Sequence, residues 1–128
     1  MAALALGKLT THILDTSAGK PAADVRIDLF KVEQGAPDSE QKTTKLRTSR
    51  TNTDGRCDEP ILKGDELLAG EYELVFYVGD YFDSLGLGLP EPKFIDVVVI
   101  RFGVADRNAD YHVPLLVSPF GYSTYRGS

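Results

Sequence analysis

A chain of 128 residues is long enough for one domain that buries roughly two thirds of its unfolded surface, so it needs no disulfide or metal staple. With 19 acidic against 14 basic residues the net charge is -5, which disfavours nucleic acid and anionic membrane as partners and points to a small molecule. The single cysteine, Cys57, cannot form an intrachain bridge and reads as a half-buried filler in a reducing compartment.

Residues 1–7 hold an apolar run with no basic segment before it, shorter than a secretory core, and read as a leader into the first strand. No stretch approaches the roughly 18 apolar residues of a membrane span, and Ser128 does not close a peroxisomal Ser-Lys-Leu address, so a cytoplasmic protein is expected. Residues 8–15 alternate Leu9, Thr11 and Ile13 against Thr10, His12 and Leu14, the period of a strand, with His12 opposite the core face. A turn around Gly19 and Pro21 leads to a second strand at 24–32, with Val25, Ile27 and Leu29 inward. Residues 34–44, rich in Gly, Pro, Ser and charge, read as a surface loop, and the polar stretch 45–51 as an edge strand.

Thr53-Asp54-Gly55-Arg56 is a turn in which Gly55 takes positive φ and Asp54 bonds the backbone ahead of it, so that Arg56 opens the next short strand. Residues 70–78 put Tyr72, Leu74, Phe76 and Val78 on one face, a strand. Asp80 then caps a short helix with Tyr81, Phe82 and Leu85 as its apolar face and Gly86 as its stop. In residues 94–104 both faces are apolar, with Ile95, Val97 and Val99 opposing Phe94, Val98, Ile100 and Phe102; the second face calls for cover, most simply by another subunit, the alternative being a loop of the same chain. Tyr111, Val113, Leu115 and Val117 alternate with His112, Pro114 and Leu116, Ser118-Pro119-Phe120-Gly121 supplies a turn, and a last strand brings Tyr122, Thr124, Arg126 and Ser128 to one face. The whole is an all-β sandwich of seven to eight strands with one short helix, a single domain over residues 1–128.

Chemistry is confined to few residues. The chain has 2 histidines, His12 and His112, and a lone strand histidine is commonly structural. No Gly-x-Ser-x-Gly elbow is present, no short-spaced ligand pair suggests a metal, and Gly86-Leu87-Gly88 lacks the third glycine of a dinucleotide fingerprint. Neither metal nor cofactor is expected.

Several blocks in order carry a family resemblance: Leu9-Thr10-Thr11-His12-Ile13-Leu14-Asp15 with Gly19-Lys20-Pro21-Ala22, then Thr51-Asn52-Thr53-Asp54-Gly55-Arg56, then Tyr111-His112-Val113-Pro114-Leu115-Leu116 and the final Tyr125-Arg126-Gly127-Ser128. From about Lys8 to Ser128 the chain resembles the 5-hydroxyisourate hydrolases, the enzyme branch of the transthyretin family. The resemblance implies a transthyretin-like two-sheet β-sandwich, four subunits assembled as a dimer of dimers, and active sites in clefts where the dimers meet. It also implies hydrolysis of 5-hydroxyisourate to 2-oxo-4-hydroxy-4-carboxy-5-ureidoimidazoline in urate breakdown. By the same resemblance His12, Arg56 and His112 are catalytic, and Tyr125, Arg126, Gly127 and Ser128 bind substrate, with Arg126 and Ser128 closing the site.

The residue types suit that chemistry. A neutral imidazole can take the proton of an attacking water near neutral pH, while arginine can hold the heterocycle and stabilise an oxyanion. A nearby guanidinium would also lower the imidazole pKa values. One position departs from the family pattern: Asp110 stands where the hydrolases commonly carry a further His, on the His112 side of the strand. Two other readings remain, a ligand-carrying transthyretin, which needs no bases, and a sandwich module without a small ligand, which predicts no convergence of these residues.

Overall fold

The computed structural model describes residues 6–34 and 40–128. Strict alternation decides the first sheet. In β1 (Lys8–Asp15) Leu9, Thr11, Ile13 and Asp15 are buried, while Thr10, His12 and Leu14 lie half-buried on the outer face. β8 (Tyr111–Ser118) runs parallel beside it, with Leu9 opposite Tyr111, Thr10 opposite His112 and Ile13 opposite Leu115. After the Pro119-Phe120 turn, β9 (Gly121–Thr124) returns antiparallel to β8. The other flank of β1 is edged by β2 (Lys20–Pro21) and β5 (Leu62–Lys63), each paired antiparallel.

The second sheet has the order β4 (Lys42–Arg50), β3 (Arg26–Glu33), β6 (Gly70–Phe76), β7 (Val98–Val104). Its inward Ile27, Leu29, Tyr72, Leu74 and Phe76 pack against Leu9, Ile13, Leu115 and Val117 of the first sheet. Each fully buried aliphatic or aromatic side chain of this kind contributes about 1.5–3 kcal/mol. The chain is thus the expected two-sheet sandwich, with one short helix, α1 (Val78–Ser84), and a 3₁₀ turn at Gly64–Glu66.

Two buried carboxylates tie elements together. Asp15 accepts from the Tyr81 hydroxyl at 2.8 Å and from the backbone N–H of Ser17 at 3.0 Å, so α1 is held to the end of β1. Asp28, 1% exposed, accepts from Thr48 at 2.7 Å, Arg26 at 3.0 Å and Tyr77 at 2.9 Å. Burial alone would raise its pKa, but the hydrogen bonds from Thr48, Arg26 and Tyr77 and the guanidinium charge outweigh that and hold it at about 2.

Several local expectations shift. The polar edge strand begins at Lys42, three residues ahead of the expected start at Lys45. It does lie at a sheet edge, where its polarity is tolerated on both sides. Of the expected 34–44 loop, residues 35–39 lie outside the described residues. The 70–78 strand ends at Phe76, and α1 starts two residues before Asp80, so Asp80 sits inside the first turn without capping it. Gly86 follows α1 at φ +68, where a side chain would be strained. Tyr81 and Phe82 are buried, but Leu85 is 41% exposed. The strand expected at 94–104 begins only at Val98; Val98, Ile100 and Val104 face the core, whereas the opposite face has Val99 beside Arg101, which donates to Glu73. The apolar second face therefore owes Ile95 and Val97 to an irregular segment in which Ile95 is buried, and Phe94, from the other side of the expected alternation, is 77% exposed and in contact with Phe120.

Candidate active site

The outer face of the β1–β8 pair carries both histidines. Because the strands are parallel with Thr10 opposite His112 and His12 opposite Pro114, the two imidazoles sit diagonally on adjacent strands of one face. On the far flank of β1, residues 52–56 fold back so that Arg56 bridges His12. The fold-back is held by Asn52. Its side-chain carbonyl accepts from the N–H groups of Asp54 at 2.9 Å and Arg56 at 3.3 Å, so Asn52, and not Asp54 as expected, supplies the side chain that holds the backbone of this turn. Gly55 is required twice over: its φ is +75, and a Cβ there would lie 2.5 Å from the Ile13 carbonyl oxygen and 3.3 Å from the His12 ring.

On the other flank the C-terminal segment leaves the β8 ladder after Thr124 and rejoins it at Gly127, where the unbroken register would have placed it. The Gly127 N–H donates to the His112 carbonyl at 2.8 Å. A Cβ on Gly127 would stand 2.5 Å from His112 Cδ2, so the backbone lies directly on the imidazole. His112 Nδ1 is 2.8 Å from the Thr10 hydroxyl.

Arg56, His112 and Ser128 line one cleft of about 460 Å³, together with Lys8, Thr10 and Asp110. His12 is not among its lining residues; it lies on the same outer face as His112 and pairs through its backbone with Arg56. Burial first, then the charge of Arg56, then that of His12 push the His112 imidazole below its ordinary value. Near neutral pH it is therefore the uncharged, proton-accepting form. Asp110 accepts from the backbone N–H of Lys8 at 3.2 Å, which pins the start of β1 to β8.

Tyr125 and Arg126 lie elsewhere. The Arg126 guanidinium stacks 4.3 Å from the centre of the Tyr111 ring and donates to the Asp110 carbonyl at 3.1 Å. With Tyr125 it lines a separate groove of about 250 Å³ between the edges of the two sheets, beside Ile100 and Phe102. The face that alternation assigns to both Arg126 and Ser128 is thus divided, because the chain is out of the ladder at residues 125 and 126. Sequence reasoning passed over Thr10 and Lys8 as site residues. Their signal was present, since alternation sets both on the His12 face of β1.

Among the described residues no group of three or more His, Cys, Asp or Glu side chains comes together to hold a metal. Nor is any described helix long and apolar enough to cross a membrane.

Residues 9–127 match the profile of the HIUase/Transthyretin family. A protein from Ralstonia nicotianae named 5-hydroxyisourate hydrolase is 56% identical over 123 residues, covering 96% of this chain and 100% of that one. The solved structure of Klebsiella pneumoniae 5-hydroxyisourate hydrolase superposes with a TM-score of 0.70 at 32% identity, over 95% of this chain and 94% of that one. Sea bream transthyretin in complex with thyroxine superposes with a TM-score of 0.76 at 26% identity, over 94% of each chain.

Proposed function

The chain belongs to the HIUase/Transthyretin family, and from that premise we propose that it hydrolyses 5-hydroxyisourate to 2-oxo-4-hydroxy-4-carboxy-5-ureidoimidazoline, a step of urate degradation. The observation that carries this reading is the meeting of a half-buried, neutral His112 with the Arg56 guanidinium in one cleft. A carrier needs a shaped cavity; it does not need a base with a depressed pKa beside a fixed cation.

In the proposed mechanism His112 takes a proton from water as the water oxygen bonds to a ring carbonyl carbon. Arg56 donates N–H groups to the carbonyl oxygen as it becomes an oxyanion. The tetrahedral intermediate then collapses, the ring C–N bond breaks, and the proton held by His112 passes to the leaving nitrogen. The carbonyl carbon becomes the carboxylate of the product and the nitrogen its ureido end. His12, bridged to Arg56, supports the arrangement from the next strand. Ser128 bounds the cleft, Gly127 backs the His112 ring, and the stacking of Arg126 on Tyr111 holds the segment that carries them.

We further propose that the full 128 residues act as a single domain and that four copies assemble as a dimer of dimers. The half-buried outer face of β1 and β8, where Leu14 and Leu116 flank the histidines, supports burial of the sites between copies. The free thiol of Cys57 suits a cytoplasmic enzyme. The test of the function is turnover of freshly generated 5-hydroxyisourate, followed optically against its spontaneous decay. A decay rate that the protein leaves unchanged would remove the proposal.

A further inference from the structure

The His112 ring has one nitrogen occupied and one free. Nδ1 lies 2.8 Å from the Thr10 hydroxyl, and Nε2 has no hydrogen-bond partner among the described residues. A threonine hydroxyl can donate or accept, so the contact alone permits either tautomer. Electrostatics on the cleft side separates them. The cleft that His112 lines also presents Arg56, a cation with donors only, and Lys8, a second cation. With Thr10 at Nδ1 and the Gly127 backbone at Cδ2, the Nε2 edge is the side of the ring left open, and beside the Arg56 charge a lone pair there is favoured over an N–H. With Nε2 unprotonated, the ring proton of the neutral imidazole must sit on Nδ1 and be donated to Thr10.

The placement of Thr10 is fixed by the fold. It stands opposite His112 across the parallel β1–β8 pair, on the same outer face, and is itself half-buried. Across the ring, Gly127 closes the other side and leaves no room for the imidazole to turn over toward the C-terminal segment. We propose that Thr10 is a positioning residue that accepts the Nδ1 proton of His112 and so holds the Nε2 lone pair in the cleft, ready to take a proton from water. This rests on the hydrolase reading for its catalytic consequence; the tautomer itself does not.

The experiment has two arms. Two-bond 1H–15N correlation spectra of the His112 imidazole, assigned with a His12→Asn variant, report the tautomer at a pH where the ring is neutral. The expected result is a protonated Nδ1 and a bare Nε2 in the intact protein, a mixture of tautomers in Thr10→Val, and restoration in Thr10→Ser. A protonated Nε2 in the intact protein, or an unchanged tautomer in Thr10→Val, overturns the proposal whether or not the protein is a hydrolase. In the kinetic arm, Thr10→Val lowers kcat on 5-hydroxyisourate about tenfold with KM nearly unchanged, well short of the roughly 10² to 10⁴ that a general base itself supplies, and Thr10→Ser recovers most of it. A Thr10→Val kcat within twofold of the parent, in an active enzyme, also overturns it. Absence of hydrolysis in every protein, intact included, would sink the functional reading and leave the spectra to decide the tautomer.

Discussion

Gly127 lies flat against the imidazole of His112: its N–H is bonded to the His112 carbonyl at 2.8 Å, and the space a side chain would need is already filled by the ring, 2.5 Å from the position of a Cβ. The two residues are neighbours across a ladder that is interrupted and then resumed, so the ring is fixed from the backbone of another strand. Replacing Gly127 by Ala forces either the imidazole or the segment to move. Because the ring belongs to the site and the segment to the surface, the cost falls on chemistry. Gly127→Ala should lower kcat by roughly ten- to a hundredfold, in line with the sensitivity of positioned groups to shifts of about 1 Å. A melting temperature within a few degrees of the parent should accompany it. Wild-type kcat in this variant would show that the ring tolerates displacement.

Removing residues 125–128 extends the argument. β9 ends at Thr124, and the four residues beyond it contribute one backbone bridge, the Arg126–Asp110 hydrogen bond and the Arg126 stack on the rim of the core residue Tyr111, with no side chain of their own in the sandwich core. The shortened protein should fold and lose most hydrolysis. Paired measurements of melting and turnover decide the matter, and either unfolding or full activity contradicts it.

By the proposed mechanism, Arg56 tunes the pH profile of the reaction. Its charge is one cause of the depressed His112 pKa, after burial. The base form therefore prevails down to a pH below the ordinary histidine value of about 6.5, and with His112 as the base the acid limb of kcat/KM should lie below that value. In Arg56→Gln the limb should move to higher pH, and the plateau should fall by roughly 10² to 10³ through loss of oxyanion stabilisation. An unmoved limb would mean that the titrating group is not His112.

Asp28 gives a stability prediction remote from the site. Its pKa is lowered in the fold to about 2, so it adds stability at pH above the unfolded value of about 3.9 and loses it as pH falls toward about 2. Asp28→Asn should cost about 2 kcal/mol near neutral pH through its charge-assisted hydrogen bonds. The gap between variant and parent should narrow as pH drops through this window, which denaturant titrations at several pH values can measure. A gap constant from neutral pH to pH 2 would contradict the assignment.

Much of this was legible in the sequence because alternation is a local property. Leu9, Ile13, Tyr72, Leu74 and Phe76 are inward in the fold as the period of two requires, and the same period places His12 and His112 on outer faces. Where the backbone leaves regular geometry the period says nothing. Residues 94–97 alternate like a strand and are not one, and residues 125 and 126 step out of the ladder, which separates Arg126 from Ser128. The Thr10–His112 contact depends on strand pairing and register between residues 102 apart in sequence. No local pattern encodes that number.

The interrupted ladder between β8 and β9 couples two places that share no contact. Counting from the Pro119-Phe120 turn, it is the number of residues in the returning segment that brings Gly127, rather than Arg126 or Ser128, to rest on His112. One residue inserted at the turn would slide the whole return by one step and present Arg126 to the imidazole; one deleted would present Ser128. A hairpin tip at the far end of the strand therefore acts as a ruler for the site. Its length is under a constraint that its own surface exposure would never suggest.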